Sequence, residues 1–262
     1  MPRQPLRLDA RRPVIVVPLT ASGPAELDAQ VAALAGHPVD VVEWRVDLHR
    51  GVADAGERRP AEAGAELVRL AGLLGSVLPA AALLATFRTT AEGGAGAICD
   101  EEYAALVGVL AETGLADAVD VEYRRGSATR ALKAAHAAAT PVVASFHDFD
   151  ATPPAGEIVA HLAAMEELGA DVAKLAAMPR SRADVLTLLE ATERRYREAA
   201  VPLVTVSMGP LGAPSRLCGP AFGSAAGFAT VGEASAPGQL PLAHVRAAFD
   251  ALLAAQAPAD AG

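Results

Sequence analysis

The feature of this sequence that most constrains its fold is a series of eight short, β-branched runs separated by helix-like segments. Their starts lie on average about 30 residues apart, which is the length of one strand–helix unit. Alternating strands and helices predict a parallel sheet, and eight evenly spaced units without a linker favour a closed (β/α)8 barrel. The alternative is an open, doubly wound sheet, but no GxGxxG motif follows the first run. The runs begin at residues 14, 39, 82, 118, 141, 171, 202 and 227.

The segments between these runs carry helix signals. Pro24 is suited to the first turn of a helix, and Leu27, Val31 and Leu34 then form an apolar stripe at helical spacing. A second helix is predicted from the capping-box pattern SRAD at residue 181. Its predicted inner face is formed by Val185, Leu189, Thr192 and Tyr196.

Length and composition agree with a single barrel domain. The chain has 262 residues, of which 52% are hydrophobic and only 4% aromatic, so small aliphatic side chains must fill the core. We expect one barrel domain over residues 1–262. Residues 1–13 should form a short extension that covers the bottom of the barrel, and residues 254–262 a disordered tail.

Charge and cysteine content exclude several classes of protein. The net charge of −9 and the absence of a basic run argue against a nucleic acid or an anionic membrane as partner. No segment reaches the ~18 apolar residues of a membrane helix, and the N-terminus lacks the apolar stretch of a signal peptide. Cys99 and Cys218 form no CxxC motif, which suits a reducing compartment. We therefore expect a cytoplasmic protein that binds a small molecule.

Polar side chains stand at the predicted carboxyl ends of the strands, where barrel enzymes have their active sites. Each also has a structural interpretation: Glu43 with Arg45, and Glu122 with Arg124, could form ion pairs, and a lone histidine usually makes ordinary hydrogen bonds. The stretch EGGAG could be a plain flexible loop. The candidate site residues are Glu43, Arg45, Arg88, Glu92, Asp120, Glu122, His147, Lys174, Arg216, Ser235 and Gln239.

Lys174 is the most informative of these residues, because an ammonium group is costly to bury among Val172, Ala173 and Leu175. Burial near other cations would favour the neutral amine, which is the nucleophile that forms an imine with a carbonyl. His147 could move protons, and arginines could hold an anionic substrate. This chemistry predicts a Schiff-base enzyme for a small carboxylated, hydroxylated ketone. No HExxH, CxxC or EF-hand pattern is present, so no metal or cofactor is expected.

Seven motifs at these positions resemble, in order, those of the type I 3-dehydroquinate dehydratases of the shikimate pathway. The resemblance covers roughly residues 14–250. It implies a homodimeric, cofactor-free lyase that dehydrates 3-dehydroquinate to 3-dehydroshikimate during aromatic amino acid biosynthesis. The motifs are EWRVD, TFRTTAEGG, SFHDF, AKLAAMP, SMGPLGAPSRLCG, FGS and SAPGQ.

The resemblance also implies roles for individual residues. Lys174 would form the imine, and His147 would remove the adjacent proton and later protonate the leaving hydroxyl. Asp120 would orient and charge-balance His147, with Glu122 beside it, and Glu92 would lie close to this acid–base site. Arg216 would bind the substrate carboxylate, and Ser235 and Gln239 would lie on a closing loop. Substrate contacts are implied for Glu43, Trp44, Arg45, Arg88, Arg216, Ser235 and Gln239.

Two positions depart from the family pattern. Pro18 replaces a small polar residue, whose contact Thr20 could supply, and Gly227 replaces a frequent hydroxyl residue, which should loosen strand 8. Two other functions fit a barrel with a strand lysine. One is a class I aldolase, although such enzymes usually act on sugar phosphates and no phosphate loop follows strands 7 and 8. The other is a non-catalytic barrel that binds a metabolite.

Overall fold

Parallel strands alternate with helices along the chain, as the sequence predicts. The computed structural model describes residue 6, residues 8–232 and residues 238–256. The strands are β1 Val14–Leu19, β2 Val41–Arg45, β3 Ala82–Thr86, β4 Ala118–Glu122, β5 Val142–Asp148, β6 Val172–Ala177, β7 Leu203–Ser207, β8 Ala226–Thr230 and β9 Leu240–Pro241. The helices are α1 Pro24–Ala33, α2 Arg50–Ala53, α3 Arg59–Val77, α4 Asp100–Glu112, α5 Ala128–Ala137, α6 Ala155–Glu167, α7 Arg182–Tyr196, α8 Ala213–Cys218 and α9 Leu242–Gln256.

The strands follow chain order around a curled sheet. Hydrogen-bonded neighbours run from β7 down to β1, and β8 then pairs with β1, so the order never reverses as it would in a doubly wound sheet. All eight predicted strands are confirmed, and every pairing between strands is parallel. The two-residue strand β9, which pairs with β8, was not predicted because it is too short to show a pattern.

The contact between β7 and β8 closes the barrel by a different means. Leu203 and Ser224 form an isolated bridge, in which the Ala225 N–H donates to the Leu203 carbonyl at 2.7 Å. The Thr205 N–H then donates to Ser224 Oγ at 3.2 Å, so a side chain takes the place of a main-chain acceptor. The barrel is therefore closed by a few bonds at this position and not by a full ladder.

The lower half of the barrel interior is apolar. Leu6 and Leu8, from the N-terminal extension, pack against it from below. This packing places the floor of the barrel beneath the polar side chains at the strand ends. The inward-facing residues of this layer are Val16, Val41, Ala82, Leu84, Ala118, Val143, Val172, Val204 and Ala226.

The helices largely follow the sequence signals. In α7, Ser181 and Asp184 form the predicted capping box, and the predicted inner-face residues are buried apart from Tyr196. Tyr196 is 42% exposed because it is at the end of the helix, where its ring covers Gly223. Helix α9 continues to Gln256, so residues 254–256 are helical and do not belong to a tail; residues 257–262 lie outside the described part. None of the described helices combines the length and apolarity that crossing a bilayer requires.

Gly227 is closely packed and does not loosen β8. It is paired with Ile15 of β1, and a Cβ atom at this position would lie 2.7 Å from Phe249 Cζ and 3.3 Å from the Arg216 carbonyl oxygen. The Phe249 ring of α9 thus occupies the volume that a side chain would need. The expected loosening is corrected for this reason: the ring of Phe249 fills the space beside the glycine.

We expect Gly227→Ser, which introduces the hydroxyl residue that the resemblance implies at this position, to destabilise the protein by about 1–3 kcal/mol through overpacking. Urea unfolding of the two proteins measures this difference. Phe249→Leu removes the crowding ring, so the same serine should cost less in that background. An equal cost in both backgrounds would contradict the packing explanation.

Candidate active site

The mouth of the barrel has a polar side and an apolar side. The polar side comes from β2 to β6 and from the loop after β3. The apolar side, which we call the apolar wall, comes from β6, β7 and β8 and consists of Ala176, Met178, Val206, Met208 and Phe228. A substrate in the mouth would therefore contact hydrogen-bonding groups on one side and an apolar surface on the other.

Lys174 lies on the boundary between the two sides, and its side chain is buried. Its Nζ atom is 3.5 Å from Glu43 Oε1, 3.8 Å from Asp120 Oδ2 and 4.8 Å from the centre of the Phe228 ring. The cationic neighbours expected from the sequence are not its nearest charges; carboxylates are. These carboxylates can balance a positive charge on the nitrogen, including that of a protonated imine.

His147 pairs with Glu92, which lies in the loop after β3. The distance from His147 Nδ1 to Glu92 Oε2 is 2.9 Å, and both side chains are largely buried. Burial, together with the charges of Arg88 and Lys174, lowers the pKa of His147 well below its ordinary value of 6.5. Burial raises the pKa of Glu92 to about 8 against the opposing effect of Arg88. Near neutral pH a neutral imidazole therefore faces a protonated carboxyl group.

The raised pKa of Glu92 has a consequence for stability. The unfolded chain releases this proton near the ordinary pKa of 4.5, whereas the folded protein holds it up to about pH 8. Because the folded value is higher, the contribution to stability is complete below pH 4.5 and is lost as pH rises through about 8. We expect wild-type protein to lose stability relative to Glu92→Gln as pH rises from about 4.5 to about 8, measured by urea unfolding. A constant difference between the two proteins would show that Glu92 titrates normally.

Asp120 does not contact His147, which corrects the role expected from the sequence. Asp120 is paired with Val143, four residues before His147, so it lies too deep in the barrel to reach the imidazole. Its Oδ1 atom accepts hydrogen bonds from Arg88 at 2.9 Å and from Ser145 at 2.7 Å. Asp120 is thus a neighbour of the lysine, and Glu92 is the carboxyl group that contacts the histidine.

Arg88 is the centre of the polar side. Its guanidinium donates to Asp120 and Ser145 at 2.9 Å each, to Glu122 at 3.2 Å and to Glu92 at 3.3 Å. Burial would lower the pKa of Arg88, but the surrounding carboxylates outweigh that effect and raise it. Its guanidinium N–H groups donate to protein side chains, so Arg88 holds the carboxylates of the polar side in place.

The two ion pairs considered from the sequence do not form within 4 Å. Arg45 donates from Nε and Nη2 to the two oxygens of Asp47, each at 2.8 Å. Glu43 instead accepts a hydrogen bond from a threonine of β3 and faces the lysine. Glu122 accepts from the main chain and side chain of Thr89, and Arg124 lies over a phenylalanine ring.

Trp44 does not reach the mouth. It is one residue from Glu43 and Arg45, so its side chain points to the opposite face of β2. The side chain is 0% exposed and packs in the core between sheet and helices, with its ring edge against His49. Trp44 is a core residue, and the prediction of a substrate contact is corrected for it.

Arg216 is a buried cation that has no counter-ion in the part of the chain that the structure describes. It lies in α8, directly after β7, and is 5% exposed. Its Nη1 atom donates to the Gly209 carbonyl at 3.0 Å, and its Nε atom has no hydrogen-bond partner. Among the described residues, no carboxylate lies within 4 Å of it, and burial lowers its pKa. Burial of an unpaired guanidinium group costs free energy, and an anion bound beside it would offset that cost.

The loop after β8 is described only in part. Ser235 lies outside the described residues. Gln239 is described, and its neighbour Gly238 approaches so closely that a Cβ atom there would lie 2.2 Å from the Gly209 carbonyl oxygen. Gln239 is therefore held beside the same turn that accepts a hydrogen bond from Arg216.

Several residues of the site were not predicted from the sequence. Ser145 and Thr86 each precede a candidate residue by two positions, so strand alternation could have placed them on the inward face. Thr89 and Asp47 act through loop contacts, for which no periodicity exists. The apolar wall could have been found in the same way as Ser145, because its members alternate along β6, β7 and β8.

Comparison with known proteins places these observations in a family. The family model of type I 3-dehydroquinase matches residues 15–255. The 3-dehydroquinate dehydratase of Lactiplantibacillus plantarum is 42% identical over 243 residues, covering 92% of this chain and 93% of that protein. The Klebsiella pneumoniae protein of the same name is 43% identical over 242 residues, covering 91% of this chain and 93% of its own length.

Solved structures agree with these relatives. The crystal structure of the type I 3-dehydroquinate dehydratase of Clostridium difficile, with covalently modified comenic acid, superposes with a TM-score of 0.87 at 33% identity. The superposition covers 97% of this chain and 99% of that one. The Enterococcus faecalis 3-dehydroquinate dehydratase has a TM-score of 0.81 at 36% identity, covering 94% and 96% of the two chains.

Proposed function

This chain belongs to the type I 3-dehydroquinase family, and we propose that Lys174 and His147 carry out its reaction. The protein is a lyase of the shikimate pathway that dehydrates 3-dehydroquinate to 3-dehydroshikimate through a Schiff base. The observation that carries the assignment of residues is the buried Lys174 amine beside two carboxylates, one strand away from the His147–Glu92 pair. Neither an aldolase nor a non-catalytic barrel is favoured by this family membership.

The first step is formation of the imine. The neutral amine of Lys174 adds to the ketone carbon of the substrate, and the adduct takes up a proton from solvent and loses water to give a protonated imine. The nitrogen is then positively charged, and Glu43 and Asp120, at 3.5 and 3.8 Å, balance that charge. The protonated imine withdraws electrons from the adjacent C–H bond and makes its proton acidic.

His147 then transfers the proton. Its lowered pKa keeps the imidazole neutral and able to accept the proton from the carbon next to the imine, which gives an enamine. The enamine expels the hydroxyl group, and the imidazolium returns its proton so that water leaves. Hydrolysis of the remaining conjugated imine releases the enone product and regenerates the amine. Glu92, hydrogen-bonded to Nδ1, holds the ring in place through both transfers.

Arg216 supplies the anion-binding part of the site. Its buried guanidinium lacks a carboxylate partner among the described residues, and the substrate carboxylate would provide one. Arg45, Gln239 and Ser235 would bind the substrate hydroxyls, while the apolar wall would contact the carbon ring. Substrate binding would thus compensate a buried charge that has no counter-ion among the described residues.

One assay tests the proposal directly. Purified protein given 3-dehydroquinate should produce the conjugated enone, which is followed by its ultraviolet absorbance. An aldolase would instead release a smaller carbonyl fragment, which chromatography of the products would detect. A non-catalytic barrel would bind the compound and leave it unchanged.

We also propose that the enzyme works as a cytoplasmic homodimer. The dimer rests on the resemblance to the family, and the free thiols of Cys99 and Cys218 suit a reducing compartment. Light scattering coupled to size-exclusion chromatography gives the mass in solution. A mass of one chain at enzyme concentrations used in assays would exclude the dimer.

A further inference from the structure

The loop that carries Glu92 is tightly closed, although its sequence TTAEGGAG suggests flexibility. We call residues 89–96 the Glu92 loop. The Thr90 N–H donates to the Gly96 carbonyl at 3.0 Å, and the Gly94 N–H donates to the Thr89 carbonyl at 2.8 Å. A Cβ atom on Gly94 would lie 2.1 Å from the Arg88 carbonyl oxygen, so the chain turns back on itself without room for a side chain.

Asp47 fastens this loop to the strand that carries Arg45. Its Oδ1 atom accepts from Arg45 Nε at 2.8 Å and from the Arg88 main-chain N–H at 3.1 Å. Its Oδ2 atom accepts from Arg45 Nη2 at 2.8 Å and from the Ala95 N–H at 3.1 Å. The residue is 1% exposed, so water does not compete for these bonds. One carboxylate thus joins Arg45 to the residue just before the Glu92 loop and to Ala95 near the end of that loop.

We propose that Asp47 is a positioning residue of the dehydratase, which fixes Arg45 and Glu92 relative to each other. The inference rests on the proposed function and deepens it, because it connects the group that binds substrate hydroxyls with the group that holds His147. Asp47 does not touch the reacting atoms. It sets the geometry of two residues that face them.

The bond pattern requires a carboxylate. Four N–H donors point at two oxygens, and each oxygen accepts one bond from Arg45 and one from the main chain. Asparagine has a single carbonyl oxygen, and its amide group would direct hydrogens at two of these donors. Asp47→Asn, at almost constant volume, should therefore break two of the four hydrogen bonds: one from Arg45 and one from the main chain.

Release of the loop should change the titration of Glu92. Its pKa of about 8 depends first on burial, and the charged groups that face it are Arg88, Glu122 and Asp120, with the His147 ring at hydrogen-bond distance. A loosened loop admits water, so the pKa should fall toward the ordinary value of 4.5. This change should be visible in the alkaline limb of the kcat–pH profile, which is the fall in kcat at high pH. Glu92→Gln should lack the part of this limb that belongs to Glu92, because glutamine does not titrate.

The experiment compares Glu92→Gln and three further variants with wild type. Asp47→Asn should raise KM about 10-fold, lower kcat about 10-fold and move the alkaline limb to lower pH, since hydrogen bonds to charged groups are lost at both ends. Arg45→Gln should raise KM and leave the limb in place. Gly94→Ala, which displaces the loop but keeps the bonds between Asp47 and Arg45, should lower kcat and move the limb without raising KM.

The outcomes separate this inference from the proposed function. If Asp47→Asn lowers the melting temperature but leaves KM, kcat and the limb unchanged, the residue is merely structural and the inference is overturned. If that variant does not fold, Gly94→Ala decides, because an unchanged kcat and limb would overturn the positioning of Glu92. If Glu92→Gln and Arg45→Gln both retain wild-type activity, the roles proposed for Glu92 and Arg45 in the reaction are wrong. If these two variants are impaired and Asp47→Asn has normal activity, only the inference about Asp47 is wrong.

Discussion

Lys174→Ala is expected to lower kcat for 3-dehydroquinate by at least about 10⁴-fold, because removal of a covalent nucleophile leaves only binding and proton transfer. Among the described residues, its buried amine is the one group beside Glu43 and Asp120 that can form an imine. Lys174→Arg should be equally inactive, since a guanidinium group stays protonated at working pH. Steady-state enone formation measures both variants. Substantial activity in either would remove the imine from the mechanism.

The composition of the chain makes the covalent step unusually easy to locate. It contains two lysines, Lys133 and Lys174, and Lys133 is exposed on α5. Borohydride added with substrate or product should reduce the imine and leave a stable adduct on Lys174, found by peptide mass mapping. The matched control Lys133→Ala should keep full activity and full labelling. A label on Lys133, or an active enzyme that cannot be labelled, would contradict the assignment.

His147→Ala is expected to lower kcat by about 10²–10⁴-fold, the usual contribution of general acid–base catalysis. Imine formation should survive in this variant, so borohydride should still label Lys174. The separation of these two readouts distinguishes proton transfer from covalent binding. Turnover and labelling are measured on the same protein sample.

A second histidine pair provides the control for this variant. His136 lies 2.8 Å from Asp171, at the amino ends of the strands and far from the mouth, in a geometry like that of His147 and Glu92. His136→Ala should leave kcat unchanged. If His147→Ala keeps most of its activity, another group transfers the proton, and Glu92 is the next candidate.

Much of the fold and part of the site could be predicted from the sequence, because both depend on periodicity. The spacing of the strands predicted the barrel, and the two-residue alternation of strand side chains predicted that Glu43, Arg45 and Lys174 lie on the inward face. The carboxylate partner of His147 could not be predicted in this way. Asp120 contacts Arg88 and not the imidazole because it lies deeper along the barrel axis than His147. This depth is set by the register between strands, which the sequence does not show.

The remaining errors have the same origin in tertiary contacts. Trp44 stands within a motif of the mouth, yet its direction puts it in the core. Gly227 lacks a side chain, but Phe249, 22 positions later in the chain, fills the space. Asp47 gathers donors from β2 and from a loop more than 40 residues further on, as the separations of 41 and 48 residues show. Such contacts leave no local pattern in a sequence.

The sparse contact between β7 and β8 has a consequence for how the chain folds. Each strand from β1 to β7 pairs with its neighbour in the chain, so those ladders close short loops. The pairing of β8 with β1 joins Val14 to Ala226 and must bring together residues from opposite ends of the sequence. Loop-closure entropy makes such distant pairing the slow event in folding. We therefore expect β8 to join β1 late in folding, so that the Arg216 site, which lies between β7 and β8 in the chain, is completed at that stage.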